Sequence, residues 1–147
     1  LTIKLRSENS SANEAIYFRG RSSHWSLLQT ERSGNYLVAQ LTKMLGDVAV
    51  MNDSKPPTVS RLSVPTRIKK QPHIISFHVS DNLSGVEYKE LKLYIDDKFI
   101  VPEIDGEHRR IVNKLDQPLQ RGSHTISIYL KDRMGNAREV RRSFNIR

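Results

Sequence analysis

His124-Thr125-Ile126-Ser127-Ile128-Tyr129-Leu130-Lys131 alternates with a period of two. Ile126, Ile128 and Leu130 fall on one side; Thr125, Ser127, Tyr129 and Lys131 fall on the other. Successive side chains of an extended chain point to opposite faces, so this run reads as a strand with one buried and one wet face. The same rhythm recurs upstream. In His73–Asp81, Ile75, Phe77 and Val79 share a face against Ser76, His78 and Ser80, and Leu91, Leu93 and Ile95 alternate with Lys92, Tyr94 and Asp96. Asp96-Asp97-Lys98 reads as a hairpin turn into Phe99–Val101, and Arg109–Leu115 turns Ile111 inward. Thr58–Val64 is a first edge strand stopped by Pro65, and Ala137–Ile146 is the last strand, with Val140, Phe144 and Ile146 in register. Arg138 and Arg142 share that register, which predicts a bulge there or an edge where long side chains reach solvent. Seven such strands in about 90 residues, each with one apolar face, make an antiparallel β-sandwich.

Working back, Asn52-Asp53-Ser54-Lys55-Pro56-Pro57 is a polar turn followed by two residues that cannot donate ladder hydrogen bonds. It marks a boundary between a first module, residues 1–54, and the sandwich, residues 55–147. The first module reads as five short strands: Leu1–Leu5, Ala15–Arg19, Trp25–Thr30, Tyr36–Lys43 and Asp47–Met51. Turn-rich separators at Ser7–Asn13, Gly20–Ser23 and Ser33-Gly34-Asn35 divide them. The expected class is therefore all-β, a small five-stranded unit followed by a seven-stranded sandwich.

Composition narrows the function. The 147 residues are 37% hydrophobic and 27% charged, ordinary for a folded chain. No apolar run approaches the roughly 18 residues of a membrane span. Absence of cysteine excludes a disulfide framework and cysteine-ligated zinc. The chain opens at Leu1 on a strand-like stretch with no leader pattern, which predicts an internal piece of a larger protein. The net charge of +8 is uneven. Residues 1–54 hold 6 Lys and Arg against 5 Asp and Glu, and residues 55–147 hold 18 against 11. A basic second half suits an anionic partner or a solvated surface. Its doublets, Lys69-Lys70, Arg109-Arg110 and Arg141-Arg142, lack an aromatic stacking platform, so a nucleic-acid partner is not expected.

Two loops form a pair. Asp81-Asn82-Leu83-Ser84-Gly85-Val86 and Asp132-Arg133-Met134-Gly135-Asn136 each place Asp at a strand exit and Gly three or four residues later. Asp accepts from backbone N–H groups just ahead of it, and Gly takes the positive φ that turns the chain back. In a sandwich the second and sixth strands end on the same side, so these loops should be neighbours. Together with Gly122-Ser123-His124-Thr125-Ile126, they resemble the motifs of bacterial immunoglobulin-like modules. The junction Leu45-Gly46-Asp47-Val48-Ala49-Val50, Asp53 and Pro56-Pro57 resembles the approach to such modules in the C-terminal regions of Bacteroidetes LytM/lysostaphin-like zinc endopeptidases and related cell-surface proteins. Val48 departs from that pattern, which carries an aromatic residue there. The resemblance covers about Ala15 to Arg147 and implies a structural role for Asp81, Gly85, Gly122, His124, Asp132, Gly135 and Asn136. It also implies a periplasmic, cell-surface or secreted location and a peptidase-associated parent.

Catalysis is not expected within the chain itself. A zinc peptidase of that type needs a His-x-x-x-Asp pair and a His-x-His, and His24, His73, His78, His108 and His124 form neither. No nucleophile elbow and no phosphate-binding glycine loop occurs. Asp81 and Asp132 are weak calcium candidates by their hard oxygens, with turn capping the simpler use. Trp25 and Tyr36 are weak glycan-stacking candidates, with core packing the simpler use. The expected function is a non-catalytic accessory or interaction module, without cofactor, that spaces or docks an adjacent domain in the bacterial envelope. Carbohydrate or peptidoglycan binding is the alternative.

Overall fold

The computed structural model describes residues 1–42, 45–68 and 72–147. The end of the expected strand at Lys43 and the doublet Lys69-Lys70 lie outside these residues. The described chain is all-β, with one 3-10 turn at Tyr88–Glu90. It divides into two units, Leu1–Lys55 with Asn82–Gly85, and Pro56–Asp81 with Val86–Arg147.

The first unit holds β1 (Thr2–Arg6), β2 (Glu14–Arg19), β3 (Ser26–Leu27), β4 (Thr30–Ser33), β5 (Tyr36–Gln40) and β6 (Asp47–Asn52). They form two three-stranded sheets, β1-β5-β4 and β3-β2-β6. Ile16, Leu37 and Ala39 are buried between them, with Ile3, Leu5, Leu28, Val48 and Val50 packed around. The expected strand Trp25–Thr30 is two strands on different sheets. Thr30 makes the switch: its hydroxyl donates to Leu28 O at 2.9 Å and accepts from Ile16 N at 3.0 Å. A side chain thus takes the ladder position on β2 that a continuing strand would have filled, and the chain is free to leave.

Glu14 holds the other side of this unit. Its buried carboxylate accepts from Ser7 Oγ and from Asn9 N at 2.9 Å, with Arg32 Nη2 at 3.7 Å. The Ser7 hydroxyl bond, ahead of the cost of burial, together with Asn9 N–H and the Arg32 charge, holds this carboxyl below the usual glutamate value.

The second unit holds β7 (Thr58–Ser63), β8 (Ile74–Ser80), β9 (Lys92–Ile95), β10 (Lys98–Ile100), β11 (Ile104–Asp105), β12 (Arg110–Lys114), β13 (Gly122–Lys131) and β14 (Ala137–Ile146). Its sheets run β11-β12-β8-β7 and β10-β9-β13-β14. In immunoglobulin lettering these are D-E-B-A and C′-C-F-G, so the second unit is an immunoglobulin-like β-sandwich. The alternating residues meet where the sequence places them: Ile75, Phe77, Val79, Leu93, Ile95, Ile111, Ile126, Ile128 and Leu130 share one core. Each such side chain contributes about 1.5–3 kcal/mol by leaving water. The additional strand β11 is two residues long and pairs Ile104 with Ile111. Asp96 and Asp97, both at positive φ, turn β9 into β10 as a two-residue hairpin.

No bulge occurs at Arg138 or Arg142. β13 and β14 pair without a break from Gly122↔Ile146 to Lys131↔Ala137, and β14 is an edge strand. The irregularity lies in β7, where the register with β8 shifts between Ser60 and Ser63 and Arg61 takes φ +52°.

Candidate functional site

Within the second unit, the residues that flank the first loop lie beside the second. Val86 bridges Asp132, and Glu87 N donates to Lys131 O at 2.8 Å. Asp132 is buried and accepts from Met134 N at 2.9 Å and Asn136 N at 2.8 Å through one oxygen. The other oxygen accepts from Asn136 Nδ2 at 2.6 Å, while Gly135 reverses the chain at φ +96°. Asp81 brings a carboxylate oxygen within 4.8 Å of one from Asp132. The two calcium candidates are therefore together, but Asp132 already accepts three bonds that hold its own turn. Gly85, at φ +91°, closes the Asn82–Gly85 segment. There Ser84 N donates to the buried Asp53 at 2.9 Å, and Lys55 N lies 3.4 Å from the same carboxylate. Asp53 was visible in the sequence only as part of the junction before Pro56-Pro57. Nothing local announces that its carboxylate caps a segment some thirty residues later.

His124, on the first turn of β13 after Gly122 (φ +126°), is fully engaged. Nδ1 lies 2.6 Å from Asp96 Oδ2, and Nε2 lies 2.9 Å from Gln120 O. Both partners are acceptors, so the doubly protonated ring satisfies them best. The Asp96 bond first, then the Gln120 carbonyl, raise the His124 value against the opposing effect of burial. Of the other histidines, His73 is buried and accepts from Leu119 N at 3.1 Å, while His108 pairs with Asp105 on the surface at 2.8 Å.

Trp25 and Tyr36 are not brought together. Trp25 precedes β3, and Tyr36 starts β5 on the other sheet of the first unit. Each ring already carries a cation on one face: Arg19 at 4.7 Å from the Trp25 centroid and Lys4 at 4.4 Å from that of Tyr36. They make no shared platform for a sugar.

A site the sequence reading did not single out lies between two edge strands of the sandwich. Between the edge strands β7 and β14 runs a cleft of about 350 Å³, floored by Val59, Leu62, Val140 and Phe144 and rimmed by Arg61 and Arg142. Arg142 was legible as a charge at a core-parity position. Arg61 was not, because the kink that aims it contains no glycine or proline.

No protein-family model matches the chain, and no curated protein matches it. Among solved structures, the crystal structure of CopC from Methylosinus trichosporium OB3b is similar at 15% identity and a TM-score of 0.47, covering 61% of this chain and 92% of that one. No helix among the described residues is long and apolar enough to cross a membrane.

Proposed function

We propose that the chain is a non-catalytic accessory module of an extracytoplasmic bacterial protein, one that spaces or docks a neighbouring domain. The observation that carries this reading is how the chemically capable side chains at the loop end are used. Asp132 caps its own turn with three accepted bonds, and both nitrogens of His124 are spent on Asp96 and Gln120. Groups committed in this way hold backbone; a general base or nucleophile needs a free lone pair within reach of substrate.

The extracytoplasmic and bacterial parts of the proposal rest on the motif resemblance around Asp81–Val86, Gly122–Ile126 and Asp132–Asn136. The same resemblance makes a cell-wall zinc endopeptidase the favoured parent, its zinc-binding residues lying outside these 147. The test is incubation of the purified chain with peptidoglycan sacculi, at about 0.1 M and about 1 M salt, the second of which screens surface charge. The expected results are no release of muropeptides and, at most, retention that disappears at high salt. Hydrolytic turnover overturns the reading, and salt-resistant retention replaces it with a glycan-binding module.

A further inference from the structure

We propose that the cleft between β7 and β14 is a binding site for a short, extended, acidic peptide segment of a partner protein. This deepens the accessory-module reading and rests on it for the existence of a partner, while the site itself is argued from its own geometry. Two edge strands, one from each sheet of the sandwich, face each other here across an opening. They are pinned at both ends. Arg138 Nε donates to Pro57 O at 2.7 Å, and Arg147 exchanges bonds of 3.1 Å with Thr66 O and Ile68 N. Between those pins β7 carries its irregularity at Ser60–Ser63, and the apolar floor is half-buried.

Backbone groups are available as well. Arg147 sends its N–H and C=O toward the β7 side, so by the alternation of an antiparallel strand Asn145, Ser143 and Arg141 do the same. Among the described residues those groups have no backbone partner. An added extended segment would bond them as strand addition does, with every second side chain entering the floor made by Val59, Leu62, Val140 and Phe144. Eight residues of β14 lie between the pins, so the opening has room for a pentapeptide at roughly 3.3 Å per residue.

Charge selects the occupant. The cleft is lined by two arginines and no acidic residue. Neither Arg61 nor Arg142 has a carboxylate within 4.0 Å among the described residues, and Arg138 adds a third guanidinium at one end. A guanidinium prefers a carboxylate in fork-to-fork geometry, whereas a basic segment would meet like charge on both rims. Arg61 is presented by a backbone at φ +52°, a conformation few residues other than glycine adopt.

The test uses the whole chain and two blocked pentapeptides, Glu-Val-Glu-Val-Glu and Lys-Val-Lys-Val-Lys, titrated while backbone amide shifts are followed. The expected result is saturable shifts at Leu62, Val140, Ser143 and Phe144 with the acidic peptide alone. Affinity should fall at least tenfold in R61Q/R142Q, whose unperturbed amide spectrum shows that it is folded. In R142E the acidic peptide should weaken and the lysine peptide gain. Shifts confined to other surfaces, equal binding of both peptides, or unchanged affinity in R61Q/R142Q overturns the site, as does absence of shifts at millimolar peptide. None of those outcomes involves peptidoglycan turnover, so failure of the cleft and failure of the accessory-module reading are separate results.

Discussion

Asp96, in the β9–β10 turn, and His124, at the head of β13, share a 2.6 Å contact across 28 residues of sequence. Asp96 also accepts from Thr125 N at 2.8 Å, so one carboxylate fastens the hairpin to the strand beside it. Burial raises the Asp96 value, but the bonds from His124 and Thr125 outweigh it and the net shift is downward.

The pair makes stability pH-dependent with a defined sign. The raised His124 value means its contribution is complete below the ordinary 6.5 and is lost as pH rises through the folded value. The lowered Asp96 value means its contribution is present above the ordinary 3.8 and is lost as pH falls through the folded value. Stabilisation by the pair is therefore fullest between those two pH values. A double-mutant cycle of D96N and H124Q, read by thermal unfolding, should give a coupling of about 1 kcal/mol or less at pH 5.5, since Asp96 is 44% exposed. As pH rises through the folded His124 value, the charge-dependent part of that coupling should vanish.

Asp132 is a different case because it is buried and accepts three bonds. Asp132→Ala should cost about 2–3 kcal/mol, most of it from backbone donors left without a partner. Asp132→Asn keeps one acceptor and should cost less. Urea unfolding of the two variants measures both, and equal losses would contradict the assignment of the carboxylate as the turn's cap.

Glu14 should make the first unit acid-sensitive. Its folded value is lowered, so its contribution is present above the ordinary 4.5 and disappears as pH falls through the folded value. Trp25 is the chain's single tryptophan and belongs to this unit, so its fluorescence reports the unit's unfolding. Glu14→Gln should cost about 1–3 kcal/mol at pH 7 and flatten the acid limb of that titration.

Gly46 is irreplaceable for two reasons. It sits at φ +152°, and a Cβ there would collide with the Arg19 carbonyl oxygen and lie 2.6 Å from the Phe18 ring. Gly46→Ala should destabilise by about 2 kcal/mol or more. Gly106→Ala, where a Cβ meets nothing within 4 Å, should stay within about 0.5 kcal/mol. Comparing the two by thermal unfolding separates collision from the general effect of removing a glycine.

The legible parts of the fold were those written in local periodicity. Ile75–Ser80 in β8, Lys92–Ile95 in β9 and Thr125–Lys131 in β13 turn alternate side chains into a single core, because each buries one face. β11 escaped notice because two residues carry no period. The break at Thr30 escaped because it depends on a hydroxyl reaching Ile16, fourteen positions away. The Asp and Gly loops were legible as turns, and their adjacency followed from strand order. The β7–β14 cleft was not, because it arises from a bulge in one edge strand and long-range pinning of another. Neither event leaves a mark among neighbouring residues.

One consequence of β14 concerns what the protein does not do. Ten residues of unguarded edge invite a second copy to dock alongside and begin a fibre. Arg138 and Arg142 occupy the inward parity of that edge, with Arg141 between them on the outer side. An antiparallel approach of β14 to β14 centred on Val140 would set Arg138 against Arg142 on the inward face, in a chain whose net charge is already +8, although Glu139 would face Arg141 on the outer one. Like charge on the inward face opposes that pairing, and concentrated protein at low ionic strength should remain monodisperse.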